Sequence, residues 1–173
     1  MPLRYKRYKQ YRLPSFNYAS SASYFVTICT KNRQHYFGSI SNGGTDLSNI
    51  GKIVRECLCG LSDKLSYVTV DEFVIMPNHL HMIVLINNPE ENRSLKTKEF
   101  QPAKRSLSLV IRNFKSAVTL LAHRNIGMMD IWQPRFYDHI IRNEHELNRI
   151  RMHIRNNPAQ WESDRNHPKN IFM

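Results

Sequence analysis

The residues best placed to do chemistry in this 173-residue chain are His79 and His81, set in Val74-Ile75-Met76-Pro77-Asn78-His79-Leu80-His81-Met82-Ile83-Val84-Leu85-Ile86. On an extended strand, side chains two apart project from the same face. The two imidazoles therefore emerge together, while Leu80, Met82, Val84 and Ile86 point the other way, into a core. Neutral imidazole suits several transition metals, so a rigid pair of this kind is half of a divalent-metal site. The plainer reading of an isolated His-x-His pair is two histidines sharing a solvated strand face.

The elements that must position this pair follow from periodicity and turn residues. Tyr24-Phe25-Val26-Thr27-Ile28-Cys29-Thr30 is rich in β-branched and aromatic residues and predicts a strand. The run from Ser41 to Asp46 is a loop by composition. Leu47, Ile50, Val54, Leu58, Leu61 and Leu65 then recur at helical spacing up to about residue 66. Strands over roughly 67–76 and 79–86 are joined so tightly at Pro77-Asn78 that they should form an antiparallel hairpin. The polar segment 87–105, with Pro89 and Pro102, predicts a mobile loop.

A second helix fits about 106–125, with Leu109, Phe114, Val118 and Leu121 among its apolar positions, and a short strand fits 136–142. A last helix starts near Asn143, where Asn143 and Glu146 have the spacing of a capping box. It runs through Leu147, Ile150 and Ile154 to Asn157, and Pro158 stops it. The predicted order is β-α-β-β-α-β plus a terminal helix, the α+β ferredoxin-like split βαβ with an antiparallel sheet. The length suffices for one domain with a core, and neither a repeat nor a second domain is expected.

Charge narrows the class. Lys and Arg number 25 against 14 Asp and Glu, a formal net charge of +11. Such a balance points to a polyanion partner, nucleic acid before an anionic membrane surface. Arg4, Lys6, Arg7, Lys9 and Arg12 alternate with Tyr5, Tyr8 and Tyr11. Cations for phosphates beside rings that stack on bases are what a single-strand-binding arm needs, although a solvated basic tail has the same composition.

No apolar run reaches the length of a membrane span and the N-terminus lacks a signal-peptide core, so no membrane role is expected. Cys29, Cys57 and Cys59 are odd in number and form no paired Cys-x-x-Cys motifs. They argue for a reducing, cytoplasmic setting and against a structural zinc site. Trp132 and Trp161 are expected to be packing anchors, and His35, His123, His145 and His167 to be solvent-exposed. Arg142, Arg149, Arg151 and Arg155 on the last helix, and Lys96, Lys98, Lys104 and Arg105 in the long loop, either line a nucleic-acid path or form solvated faces.

Several stretches resemble the HUH-endonuclease superfamily, specifically the single-tyrosine transposases and their REP-associated tyrosine transposase branch. They are Tyr11-Arg12-Leu13-Pro14, the strand from Tyr24 to Thr30, Asp71-Glu72-Phe73 continuing through His81, Trp132-Gln133-Pro134-Arg135-Phe136-Tyr137-Asp138-His139, Ile140-Ile141-Arg142-Asn143, and Asn157-Pro158 with Trp161. The resemblance implies one HUH domain over 1–173, with 1–22 as a basic aromatic arm. It implies binding of single-stranded or hairpin DNA from repeated palindromes, and the basic residues that the charge pattern offers for that DNA are Arg4, Lys6, Arg7, Lys9, Arg12, Arg149 and Arg155. In that family the histidine pair and a third polar side chain hold Mg²⁺ or Mn²⁺ against the scissile phosphate. A helix-borne tyrosine attacks, leaving a 5′-phosphotyrosine and a 3′-hydroxyl that can later reverse the step. Members occur as monomers and as homodimers.

One position departs from the pattern. The family nucleophile sits in Tyr-Ile-x-x-Asn/Gln, with the amide as third metal ligand, and this chain has His153-Ile154-Arg155-Asn156-Asn157. Asn157 retains the amide, and His153 stands where the tyrosine is expected. A spacing of four puts both on one helix face. His153 is then a nucleophile itself, or a further ligand in a three-histidine site favouring Zn²⁺ or Mn²⁺. In the second case Tyr137 is recruited to attack, or cleavage is attenuated and hairpin binding remains. An ordinary aromatic in a sheet is the plain reading of Tyr137. A non-cleaving DNA-binding protein and a metal-dependent hydrolase using activated water are the competing classes.

Overall fold

The computed structural model describes residues 21–88, 105–164 and 166–167. The basic residues Arg4, Lys6, Arg7, Lys9 and Arg12, and the lysines of the 87–105 segment, lie outside the described residues. The elements are β1 (Ala22–Cys29), β2 (Gly38–Ser41), β3 (Gly44–Leu47), α1 (Asn49–Cys59), α2 (Leu61–Lys64), β4 (Val68–Met76), β5 (His79–Ile86), α3 (Leu107–Ile126), β6 (Tyr137–Ile141) and α4 (Glu144–Asn156). Short 3-10 turns cover Lys31–Arg33 and Pro158–Ser163. The main sheet has the order β4-β5-β1-β6 with every pairing antiparallel. This is the ferredoxin-like α+β arrangement that the alternation of elements predicts.

The sheet is covered on both faces, which explains why β5 is almost wholly apolar apart from its histidines. Tyr24, Val26 and Ile28 of β1 and Leu80, Met82 and Val84 of β5 pack with Val110, Phe114 and Val118 of α3 and Val54 and Leu58 of α1. On the opposite face Ile150 and Ile154 of α4 close against Ile83 and Ile141. Among the described residues, no helix is long and apolar enough to cross a membrane.

Two elements differ from expectation. The segment read as a loop from Ser41 to Asp46 is the hairpin β2-β3, pairing Ser41 with Gly44 and Ile40 with Thr45. Asn42 and Gly43 take φ of 50° and 72°, the two left-handed residues of an Asn-Gly hairpin turn. Its strands are short and polar, so composition hides them. The helix expected to reach residue 66 breaks at Gly60 into α1 and a single turn, α2.

Two devices seat α4. The Asn143 carboxamide oxygen accepts from the Glu146 N–H at 2.8 Å, half of the predicted capping box. The Glu146 carboxylate accepts instead from the Arg142 N–H at 2.9 Å and lies 2.8 Å from His139 Nε2. The second device is a β-bulge. Register moves from Val70–Val84 to Phe73–Met82, so Asp71 and Glu72 share one place in the ladder. Asp71 takes Arg151 in a two-pronged pair at 2.8 and 2.9 Å, and Glu72 takes Arg155 at 2.8 and 3.2 Å. These pairs fasten the last turns of α4 to the sheet.

The bonds to the Arg142 N–H and to His139 hold the Glu146 carboxyl below the usual carboxylate range. A pKa depressed by folding adds stability above the unfolded value and loses it as pH falls through the folded one. The urea-midpoint gap between wild type and Glu146→Gln is therefore expected to be full at neutral pH and to close below about pH 4. A gap unchanged at pH 3 contradicts the role given to this carboxylate.

Candidate functional site

Register decides which side chains meet on the α4 face. His79 sits opposite Cys29 and Met76, and His81 opposite Thr27 and Val74, with Thr27 in turn opposite Tyr137. Paired residues share a face, so Tyr137 looks out beside His81 from two strands away. The C-terminal end of α4 adds His153 and Asn157, and the Pro158–Ser163 turn returns the chain so that Asp164 enters the same place.

The Nε2 atoms of His79 and His81 are 3.1 Å apart, and Asp164 Oδ2 lies 3.9 Å from His79 Nε2. One nitrogen of each histidine and one oxygen of Asp164 all fall within 4.8 Å of one another. The two imidazoles are 0% and 2% exposed. Asn78 Nδ2 donates to the Asn166 carbonyl at 2.9 Å, which fixes the orientation of this amide. Its oxygen therefore faces His79 Nδ1, at 2.8 Å. An amide oxygen only accepts, so Nδ1 carries the proton and Nε2 is the acceptor nitrogen of the ring. Thr27 Oγ1 lies 2.8 Å from His81 Nδ1 and fixes the orientation of that ring, as a hydroxyl that can either give or take the proton. Neighbours of this kind raise ligand basicity and orient metal-binding histidines.

Asn157 lies against Asp164. It is buried, and its Nδ2 donates to Asp164 Oδ2 at 3.1 Å. Its Oδ1 has no hydrogen-bond partner among the described residues. A buried acceptor left unmade costs free energy that a cation would recover. Two imidazole nitrogens and a carboxylate oxygen gathered within 4.8 Å, with an orphaned amide oxygen on a neighbouring residue, are donors of the kind a divalent ion would take.

Beside this cluster opens a cleft of about 390 Å³ lined by Phe25, His81, Tyr137, His153, Asn157 and Asp164, with Asn166 among the remaining lining residues. The His153 ring lies 5.5 Å from His81 and edge-on to Phe25, which stacks on His81 at 5.1 Å. Tyr137 is 49% exposed. Lys115 pins the approach to it, donating to the carbonyls of Gln133 at 2.7 Å and Arg135 at 3.3 Å, and burial pushes its amine down to about 8.

Of the residues singled out by sequence, His79, His81, Asn157, His153 and Tyr137 thus converge. Arg151 and Arg155 face β4 carboxylates, while Arg149 leaves its guanidinium 72% exposed, 3.8 Å from Glu146. Trp132 packs between Phe37 and Phe114 as an anchor. His167 is not solvent-exposed as expected but buried: its N–H bonds to the Asp164 carbonyl, and its ring folds onto Trp161, which stacks on His79. Asp164, Asn78 and Asn166 were missed; only Pro158, starting a turn after the helix, hints that the chain doubles back.

Fold and site together define an α+β protein with a ferredoxin-like sheet and a buried histidine–carboxylate centre under its C-terminal helix. The same fold occurs in a REP-associated tyrosine transposase solved bound to a REP hairpin, with a TM-score of 0.60 and 20% identity over 84% of this chain and 72% of that one. A protein of Deinococcus radiodurans proposed to be a transposase aligns with a TM-score of 0.49 and 12% identity over 84% of this chain and 95% of that one. No protein-family model matches the sequence. The chain belongs to the family of an uncharacterized Haemophilus influenzae protein, to which it is 38% identical over 161 residues covering 88% of this chain and 89% of that one.

Proposed function

We propose that this protein binds single-stranded hairpin DNA and cuts and transfers the strand at the His79–His81–Asp164 centre, with Tyr137 as the attacking group. The observation that carries the reading is the convergence of that donor set with a phenol and an imidazole in one open cleft. A chain of net charge +11, and a fold shared with a transposase that holds a hairpin, support DNA as the partner. A divalent ion bound there would withdraw charge from the phosphoryl oxygens.

The protein's own part is positioning. Asn78 and Thr27 orient the imidazoles, Asp164 and Asn157 close the donor set, and the β4 bulge fixes α4 so that Asn157 stays in place. Tyr137, on a rigid strand, attacks phosphorus and displaces the 3′ oxygen, and His153 is the imidazole in the cleft that can take the phenolic proton. A second reading, hairpin binding with attenuated cleavage, is favoured by one observation: His153 occupies the helix position where the resembled family carries its tyrosine.

Fluorescence anisotropy with a hairpin-tipped single strand and a blunt duplex of equal length tests the DNA reading. The hairpin is expected to bind at least about tenfold tighter, with an affinity that falls steeply with salt. Arg149→Ala is expected to lower the salt slope by about one unit, and basic residues such as Arg7 and Arg12 to do likewise. Equal affinity for hairpin and duplex contradicts this function.

A further inference from the structure

Asn166 has three of its four polar groups already committed. Its N–H donates to Asp164 Oδ1 at 2.6 Å, its carbonyl accepts from Asn78 Nδ2 at 2.9 Å, and its side-chain oxygen accepts from Arg33 Nη1. The guanidinium has only donors, so the Arg33 contact fixes which end of the carboxamide is oxygen. The remaining group, Nδ2, is buried and has no partner among the described residues. Asn166 is 4% exposed and lines the cleft beside His81 and Asp164.

The two orphaned atoms in this cleft make opposite demands. Asn157 Oδ1 lacks a donor or cation, and Asn166 Nδ2 lacks an acceptor. A cation would answer the first demand and an anionic oxygen the second. Arg33 strengthens the second demand, because a cation on the amide oxygen polarises the amide and makes its N–H a better donor to an anion. Arg33 is also held at some cost: Asn32 and Arg33 are consecutive non-glycine residues with φ of 53° and 56°. Thr30 braces that turn through its hydroxyl, 2.7 Å from the Gln34 carbonyl and 3.0 Å from that of Asn78.

From this we infer that Asn166 contacts the substrate directly, its Nδ2 donating to a non-bridging oxygen of the phosphodiester seated in the cleft, with Arg33 as the residue that aims and polarises it. This rests on the phosphodiester reading above and names a substrate contact within it.

Asn166→Asp is the decisive variant. It keeps the size and the acceptor for Arg33, and so keeps the turn that carries Asp164, but it removes the donor and adds a negative charge. The neutral Asn166→Leu removes the donor without that charge, and phosphate binding retained in it overturns the inference. Two probes are used on the full chain: Mn²⁺ alone, followed by calorimetry, and inorganic phosphate, followed by the ³¹P relaxation that protein-bound Mn²⁺ induces. Asn166→Asp is expected to bind Mn²⁺ no more weakly than wild type, yet to bind phosphate and hairpin DNA at least about tenfold more weakly, as expected for losing a donor to an oxyanion. Phosphate binding equal to wild type overturns the inference, since a water then suffices for Nδ2. Mn²⁺ binding that falls together with phosphate binding also overturns it, and reduces Asn166 to a brace for Asp164. A wild-type protein that binds phosphate but no hairpin sinks the DNA reading alone, and the phosphate comparison still decides on Asn166.

Discussion

Replacing His81 by alanine is expected to lower Mn²⁺ affinity at least about 100-fold in titration calorimetry, against about tenfold for Thr27→Val. His81 is 2% exposed and its Nε2 stands 3.1 Å from that of His79, so its removal takes away an oriented nitrogen donor, for which a water in the space left behind is a weaker and less well-held substitute. Thr27→Val is nearly isosteric at a position 3% exposed. It removes only the hydroxyl that orients His81 Nδ1, leaving a ligand that is present but less well aimed. The ordering of the two losses is the informative result. Equal losses would mean that the pair is disturbed as a unit, and no loss in His81→Ala would place the ion elsewhere. Both variants should keep the wild-type far-ultraviolet spectrum, because Leu80, Met82 and Val84 keep the apolar contacts of β5 on the other face and Ile83 keeps those to α4.

The histidine pair was legible in the sequence because its signal is local. A period of two along β5 sends Leu80, Met82 and Val84 to one side and the imidazoles to the other, and the short Pro77-Asn78 link fixes the hairpin. The helix carrying His153 and Asn157 was legible for the same reason, through Leu147, Ile150 and Ile154 at helical spacing and Asn143 at its start. Asp164 was not. Its approach to His79 depends on the Pro158–Ser163 turn and on Asn166 being tied to Asn78, a contact between residues 88 apart in the chain. Nothing in the local pattern of a lone aspartate after a tryptophan encodes that.

The arginines of α4 show a different limit. A basic run on a helix is the same string whether it faces phosphates or carboxylates. Arg151 and Arg155 found Asp71 and Glu72, 80 and 83 residues away. In a regular strand those two neighbours would point to opposite faces, and only the bulge lets both reach one helix. Arg151 and Arg155 are thus already engaged within the protein, so the proposed DNA binding rests its phosphate contacts on Arg149, Asn166 and the N-terminal basic residues.

The loss expected to be most complete is that of the covalent adduct in Tyr137→Phe. With hairpin DNA and Mn²⁺, wild type should give a protein–DNA band on a denaturing gel, and the variant should give at least about 10³-fold less, since removing a nucleophile stops the covalent step. The substitution deletes one oxygen from a side chain already 49% exposed, so metal and hairpin affinities should be unchanged. His153→Ala should keep a slower adduct. Its imidazole packs beside His81 and Phe25, which suits moving a proton more than attacking phosphorus. The chemistry of the bond separates the cases, because a phosphotyrosine link survives mild acid and a phosphohistidine link does not. An acid-labile adduct mapped to His153 by peptide mass spectrometry would make the imidazole the nucleophile and leave Tyr137 a sheet aromatic. Tight hairpin binding with no adduct from wild type at any metal concentration would make the site one that grips DNA without cutting it.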